Sequence, residues 1–89
     1  MAIELIAVSV PGCVDCARFK KYWEETRSQF PGVAFREVDA LTPEGQNLLL
    51  EHQILASPGI LMDGSLFSTG PVPKEALAAK LRTLGGDKP

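Results

Sequence analysis

The 89-residue sequence is short of metal-ligating side chains, with one histidine and two cysteines, and it has neither a basic run nor a long apolar one. Each shortage excludes something. Structural zinc wants four ligands, so two cysteines and a histidine would have to recruit a carboxylate. The nine Lys and Arg are scattered and the net charge is −2, which leaves no field to hold nucleic acid or an anionic membrane surface. No apolar stretch is long enough to form a membrane-crossing helix. The apolar opening is interrupted by Glu4, and no basic residue precedes it, unlike a signal peptide. The expectation is therefore a cytoplasmic, monomeric protein in a reducing compartment. There, neighbouring cysteines point to catalysis or metal binding rather than to a structural staple.

What is present describes a single globular domain, residues 1–89. The composition is 45% hydrophobic and 22% charged, enough for one modest core. Ile3 to Val8 is apolar on both parities, as a strand covered on both faces requires. Pro11-Gly12 break it. From Cys13 to about Gln29, Phe19, Trp23, Thr26 and Phe30 recur at helical spacing against a charged opposite face, and Pro31-Gly32 end the helix.

Val33 to Val38 reads as a second strand. Thr42 and Pro43 open a short helix to about His52, with Leu48, Leu49 and Leu50 as candidates for its inner face and Gly45 weakening it. Gly59 to Met62 is a third strand, and Asp63-Gly64 signals a hairpin into a fourth, Ser65 to Ser68, where either Leu66 or Phe67 faces outward. Pro73 opens a last helix with Leu77, Leu81 and Leu84 on one stripe. Gly85-Gly86 stop it, and the tail from about residue 86 is expected to fray. The order β-α-β-α-β-β-α predicts a four-stranded mixed α/β sheet with three helices on its two faces. Strands separated by helices should run parallel, and the closing hairpin antiparallel.

Both cysteines lie in Cys13-Val14-Asp15-Cys16, at the start of the first helix. A sulfur at a helix N-cap meets unpaired backbone N–H groups and the positive end of the helix dipole, which favour a thiolate. Cys13 is thus the expected nucleophile, with a depressed pKa. Cys16, one turn on and beside Phe19 and Trp23, is the expected resolving thiol. Asp15 opposes the thiolate, while Arg18 and Lys20 oppose Asp15. As a staple the pair would do little: closing a four-residue loop yields about 2 kcal/mol. Two thiolates alone could hold Cu(I), which leaves a Cu(I)- or zinc-binding module, or a redox-inert interaction module, as the alternative function.

These residues resemble the thioredoxin and glutaredoxin superfamily. The matching features are the Cys-x-x-Cys after the first strand, Ser57-Pro58 before the third, and Asp63-Gly64 in the hairpin. Pro58-Gly59-Ile60-Leu61-Met62-Asp63-Gly64 and Gly70-Pro71-Val72-Pro73 are most similar to small prokaryotic thioredoxin-like redox proteins of about eighty residues. The resemblance implies a thioredoxin-like fold and a protein-disulfide oxidoreductase with a redox-active Cys13–Cys16 disulfide. It implies a cis Pro58, with Ser57 offering its backbone to a substrate peptide. It also implies protein disulfide substrates, a flavin-dependent thioredoxin reductase-type electron donor, and neither a metal nor an organic cofactor.

The sequence departs from the pattern at three places. Thioredoxins usually have Trp-Cys-Gly-Pro-Cys, where this chain has Gly12 before Cys13 and Val14-Asp15 between the cysteines. Thioredoxins bury an aspartate six residues before the nucleophile as proton acceptor, where this chain has Ala7. Glutaredoxins hold glutathione with Gly-Gly and a following Asp, where this chain has Gly70-Pro71 and no Asp, which argues against glutathione. Pro11 and Gly12 leave little bulk over Cys13, so they join Ser57 and Pro58 as substrate-contact candidates. His52 reads as a solvated helix end and Trp23 as core.

Overall fold

The computed structural model describes residues 2–89. Its elements are β1 (Ile3–Ser9), α1 (Val14–Thr26) continued by a 3-10 turn (Arg27–Gln29), β2 (Val33–Asp39), α2 (Pro43–Glu51), β3 (Gly59–Met62), β4 (Ser65–Thr69) and α3 (Lys74–Thr83). The sheet order is β2-β1-β3-β4. The expected α/β architecture, a mixed four-stranded sheet with three helices on its two faces, is the one observed.

Side-chain alternation along β1 divides the core. Ile3, Leu5 and Ala7 point to one face, where they pack with Phe19 and Trp23 of α1 and Leu77 and Leu81 of α3. Ile6 and Val8 point to the other, where Val38, Ala40, Ile54 and Leu61 meet Leu48 and Leu49 of α2. Trp23 lies in the core as expected, its ring stacked on Phe30 at 6.0 Å.

One expectation about direction is corrected. β1 and β2 are parallel, with Ala7 opposite Glu37 and Ser9 opposite Asp39. β3, although it follows a helix, runs antiparallel to β1, with Val8 opposite Gly59 and Leu5 opposite Met62. The cause is where the connection ends. The chain leaves β2 at Asp39, level with Ser9, and re-enters the sheet at Gly59, level with Val8. It therefore leaves and returns at the same end of the sheet, so β3 must run back down. A crossover to the opposite end would have been needed for a parallel strand.

The hairpin forms where Asp63-Gly64 places it. Both residues have positive φ, 50° and 83°, as a tight two-residue turn demands. Asp63 also ties the turn to β1: its N–H donates to the Glu4 carbonyl at 2.8 Å, and its carboxylate accepts from the Glu4 N–H at 2.8 Å. Leu66 is the outward residue of its pair and Phe67 the partly buried one.

Local details differ at three places. Leu84 follows the end of α3 and is exposed, because the helical stripe closes at Leu81. Leu50 is also exposed, since α2 turns only Leu48 and Leu49 toward the sheet. The C-terminal segment is anchored one residue into the stretch expected to fray. Gly86 is buried, its N–H donates to the Leu81 carbonyl at 2.7 Å, and its carbonyl accepts from the Gly32 N–H at 2.9 Å. Gly45 has a use that helix propensity hides. A Cβ there would run into the Asp39 carbonyl and the Ala40 backbone, so its absence lets α2 close onto the end of β2.

Candidate functional site

The end of β1 passes into α1 through Val10-Pro11-Gly12-Cys13. The Cys13 N–H donates to the Val10 carbonyl at 3.3 Å, closing a tight turn, and Gly12 occupies φ +77°. Nothing lies within 4 Å of where a Gly12 side chain would begin, so backbone conformation is what asks for glycine here. The turn delivers Cys13 to the N-cap of α1, with its sulfur accepting from the Cys16 backbone N–H at 3.1 Å. That contact satisfies one of the orphan donors of the helix with a sulfur instead of an oxygen.

Cys13 and Cys16 are joined as a disulfide, with their Cα atoms 5.2 Å apart. Cys13 is half-buried and its neighbour Val14 exposed, whereas Cys16 is only 6% exposed. One cysteine is therefore reachable from solvent and the other is covered.

The return of the chain at β3 supplies the third part. Because β3 starts beside the end of β1, the loop before it lies against the helix N-terminus. The Ser57–Pro58 peptide bond is cis, and Pro58 is buried. The Ser57 hydroxyl donates to Cys13 Sγ at 3.5 Å, and the Ser57 carbonyl oxygen lies 3.7 Å from the same sulfur. Pro11 and Gly12, which lead into Cys13, are exposed. Thus Cys13, Ser57, Pro58, Pro11 and Gly12 gather at one end of the sheet. His52 is the C-cap residue of α2, on the other side of the sheet.

A groove of about 380 Å³ that local sequence patterns do not mark lies beside the dithiol. It runs from Pro11 and Cys13 past Cys16 to Lys20, Glu37 and Asp39. Lys20 Nζ and Glu37 Oε1 are 3.9 Å apart across it. The available signal was the alternation in β2: Val33 and Phe35 face α1, so Glu37 and Asp39 do too. Asp15 lies elsewhere. It pairs with Arg18 at 3.6 Å and lines a separate depression with Pro71, Val72 and Lys74. Among the described residues, no group of three or more His, Cys, Asp or Glu could hold a metal ion. No described helix is long and apolar enough to cross a membrane.

No protein-family model matches the sequence, and no curated protein matches it. Solved structures do match the fold. The thioredoxin of Fasciola hepatica aligns over 91% of this chain and 80% of its own, with TM-score 0.68 and 16% identity. The oxidised thioredoxin of Plasmodium falciparum aligns over 92% of this chain and 80% of its own, with TM-score 0.67 and 19% identity. Spinach chloroplast thioredoxin f aligns over 91% of this chain and 77% of its own, with TM-score 0.67 and 22% identity. At such identities the likeness establishes the fold.

Proposed function

On a chain with the thioredoxin fold, we propose that the Cys13–Cys16 pair is the centre of a thiol–disulfide oxidoreductase acting on protein disulfides. The supporting observation is the asymmetry of the pair. Cys13 caps a helix, accepts an N–H and a hydroxyl, and is reachable; Cys16 is buried one turn behind it.

Those contacts favour an anionic sulfur on Cys13. The Cys13 thiolate attacks one sulfur of a substrate disulfide. A Cys13–substrate bond forms, and the other substrate sulfur leaves as a thiolate and takes a proton. Cys16, once deprotonated, attacks Cys13 Sγ. The intramolecular bond forms, the mixed disulfide breaks, and the substrate leaves with both sulfurs reduced. Two electrons have passed to the substrate. Proximity favours this second step, because the two sulfurs already share a helical turn.

Ser57 and Pro58, together with Pro11 and Gly12, form the proposed substrate contact surface. An extended peptide could use the backbone of Ser57 beside the reacting sulfur. Regeneration of the dithiol falls to a flavin-dependent thioredoxin reductase-type protein, as the resemblance implies. The protein works as a cytoplasmic monomer, without metal, organic cofactor or glutathione.

The test is trapping. Cys16→Ser, challenged with a disulfide-bonded peptide, should accumulate a long-lived Cys13–peptide adduct visible by mass. Cys13→Ser should form none. Absence of an adduct in Cys16→Ser would overturn the proposal and leave a binding module as the alternative.

A further inference from the structure

Resting on the exchange chemistry proposed above, we infer that Glu37 of β2, positioned by Lys20 of α1, is the proton acceptor that activates Cys16 for the resolving step.

The need for an acceptor follows from burial. Cys16 is 6% exposed and packs beside Phe19 and Trp23, an environment that holds a thiol protonated. It cannot attack until the proton leaves. The strand beneath offers nothing at the nearest level: Ala7 of β1 is a methyl group, and Ser9 is uncharged.

On α1, Asp15 turns away and pairs with Arg18 in the depression by Pro71, while Lys20 turns into the groove. On β2, Arg36 lies on the opposite face, paired with Glu44 of α2 at 2.8 Å. Glu37 and Asp39 both line the groove with Cys16. Asp39 is already engaged, since its Oδ1 accepts from the Leu41 N–H at 2.8 Å to hold the turn into α2. Glu37 has no such duty. Its only close polar partner among the described residues is Lys20, at 3.9 Å.

Lys20 follows Cys16 by four residues, so the two share a face of α1. Both side chains are partly exposed, and their pairing biases Glu37 toward the wall of the groove that Cys16 lines. Glu37 sits opposite Ala7 in the β1–β2 register, so the small side chain on β1 leaves room above the sheet for a carboxylate from the next strand.

In the resolving step the Cys16 proton crosses the groove to the Glu37 carboxylate. Cys16 then attacks Cys13 Sγ, the Cys13–substrate bond breaks, and the leaving thiolate takes up a proton from solvent. Glu37 returns its proton to solvent afterwards, so no co-reactant is consumed. Lys20 touches none of the reacting atoms and is a positioning residue.

A two-phase reaction with an aromatic disulfide such as 5,5′-dithiobis(2-nitrobenzoate) tests this. Attack by Cys13 releases one chromophoric thiolate and resolution by Cys16 releases a second, so each step has its own phase. Glu37→Gln should leave the first phase essentially unchanged and slow the second by about tenfold or more near pH 7. The second-phase rate of the variant should climb with pH and approach that of the wild type only at alkaline pH, above the free-thiol value of about 8.5, because burial keeps Cys16 protonated beyond it. Asp15→Asn should leave the second phase unchanged. An unaltered second phase and pH profile in Glu37→Gln would overturn the inference. So would equal slowing of both phases at every pH, the mark of a structural defect. If the wild-type protein shows neither phase, the exchange function itself fails, a result separate from either.

Discussion

The hydroxyl of Ser57 meets the sulfur of Cys13 at 3.5 Å, although 44 residues separate them in the chain. The contact exists because β3 re-enters the sheet beside the end of β1, bringing the loop before it against the helix N-terminus. Ser57→Ala removes one of two donors to that sulfur and leaves the backbone in place. We expect the Cys13 alkylation rate at neutral pH to fall by about fivefold, as loss of roughly 1 kcal/mol of thiolate stabilisation would produce. Ser57→Thr should restore it. An iodoacetamide rate profile reads both, and equal rates in all three proteins would contradict the role.

The two thiols of the reduced protein should differ strongly in reactivity. Cys13 is accessible and Cys16 buried, so limiting alkylation followed by peptide mass mapping should label Cys13 at least about tenfold faster. Comparable labelling would remove the distinction between attacking and resolving sulfurs.

Two glycines should fail for different reasons. Gly12→Ala has room for its methyl but must hold φ near +77°, which costs about 1 kcal/mol of stability. Gly45→Ala forces a Cβ into backbone at Asp39 and Ala40, so a loss of about 2–3 kcal/mol is expected. Urea unfolding of the oxidised proteins compares them; a milder effect at Gly45 than at Gly12 would contradict the packing described.

Leucines should separate by burial. Leu77→Ala, in the core between α3 and the sheet, should cost about 2–5 kcal/mol. Leu55 is 95% exposed, and Leu55→Ala should stay within about 0.5 kcal/mol of the parent. Chemical denaturation of both, at matched redox state, checks the contrast.

Much of the fold was legible because its signals are local. The apolar run at Ile3–Val8, the Thr42-Pro43 helix start, the Asp63-Gly64 turn and the cap position of Cys13 depend on residues a few places apart. What stayed hidden depends on where distant segments meet. The direction of β3 follows from α2 and its loop returning to the end of the sheet they left. The importance of Gly45 follows from the approach of α2 to Asp39, and the docking of Gly86 from its contact with Gly32. The groove reaching Glu37 required α1 to pack on the face of β2 that carries Val33 and Phe35, which puts Glu37 above the same face as Cys16. Local spacing shows Lys20 only as a charge near Asp15. The packed structure turns it the other way, onto Glu37.

The most direct test of the central claim is the reduction potential of the Cys13–Cys16 pair, measured by equilibrating the protein in graded thiol–disulfide buffers and trapping with an alkylating reagent. A redox-exchange centre predicts one reversible two-electron transition between about −180 and −280 mV. A pair still oxidised below about −300 mV, or one that never closes, would contradict it.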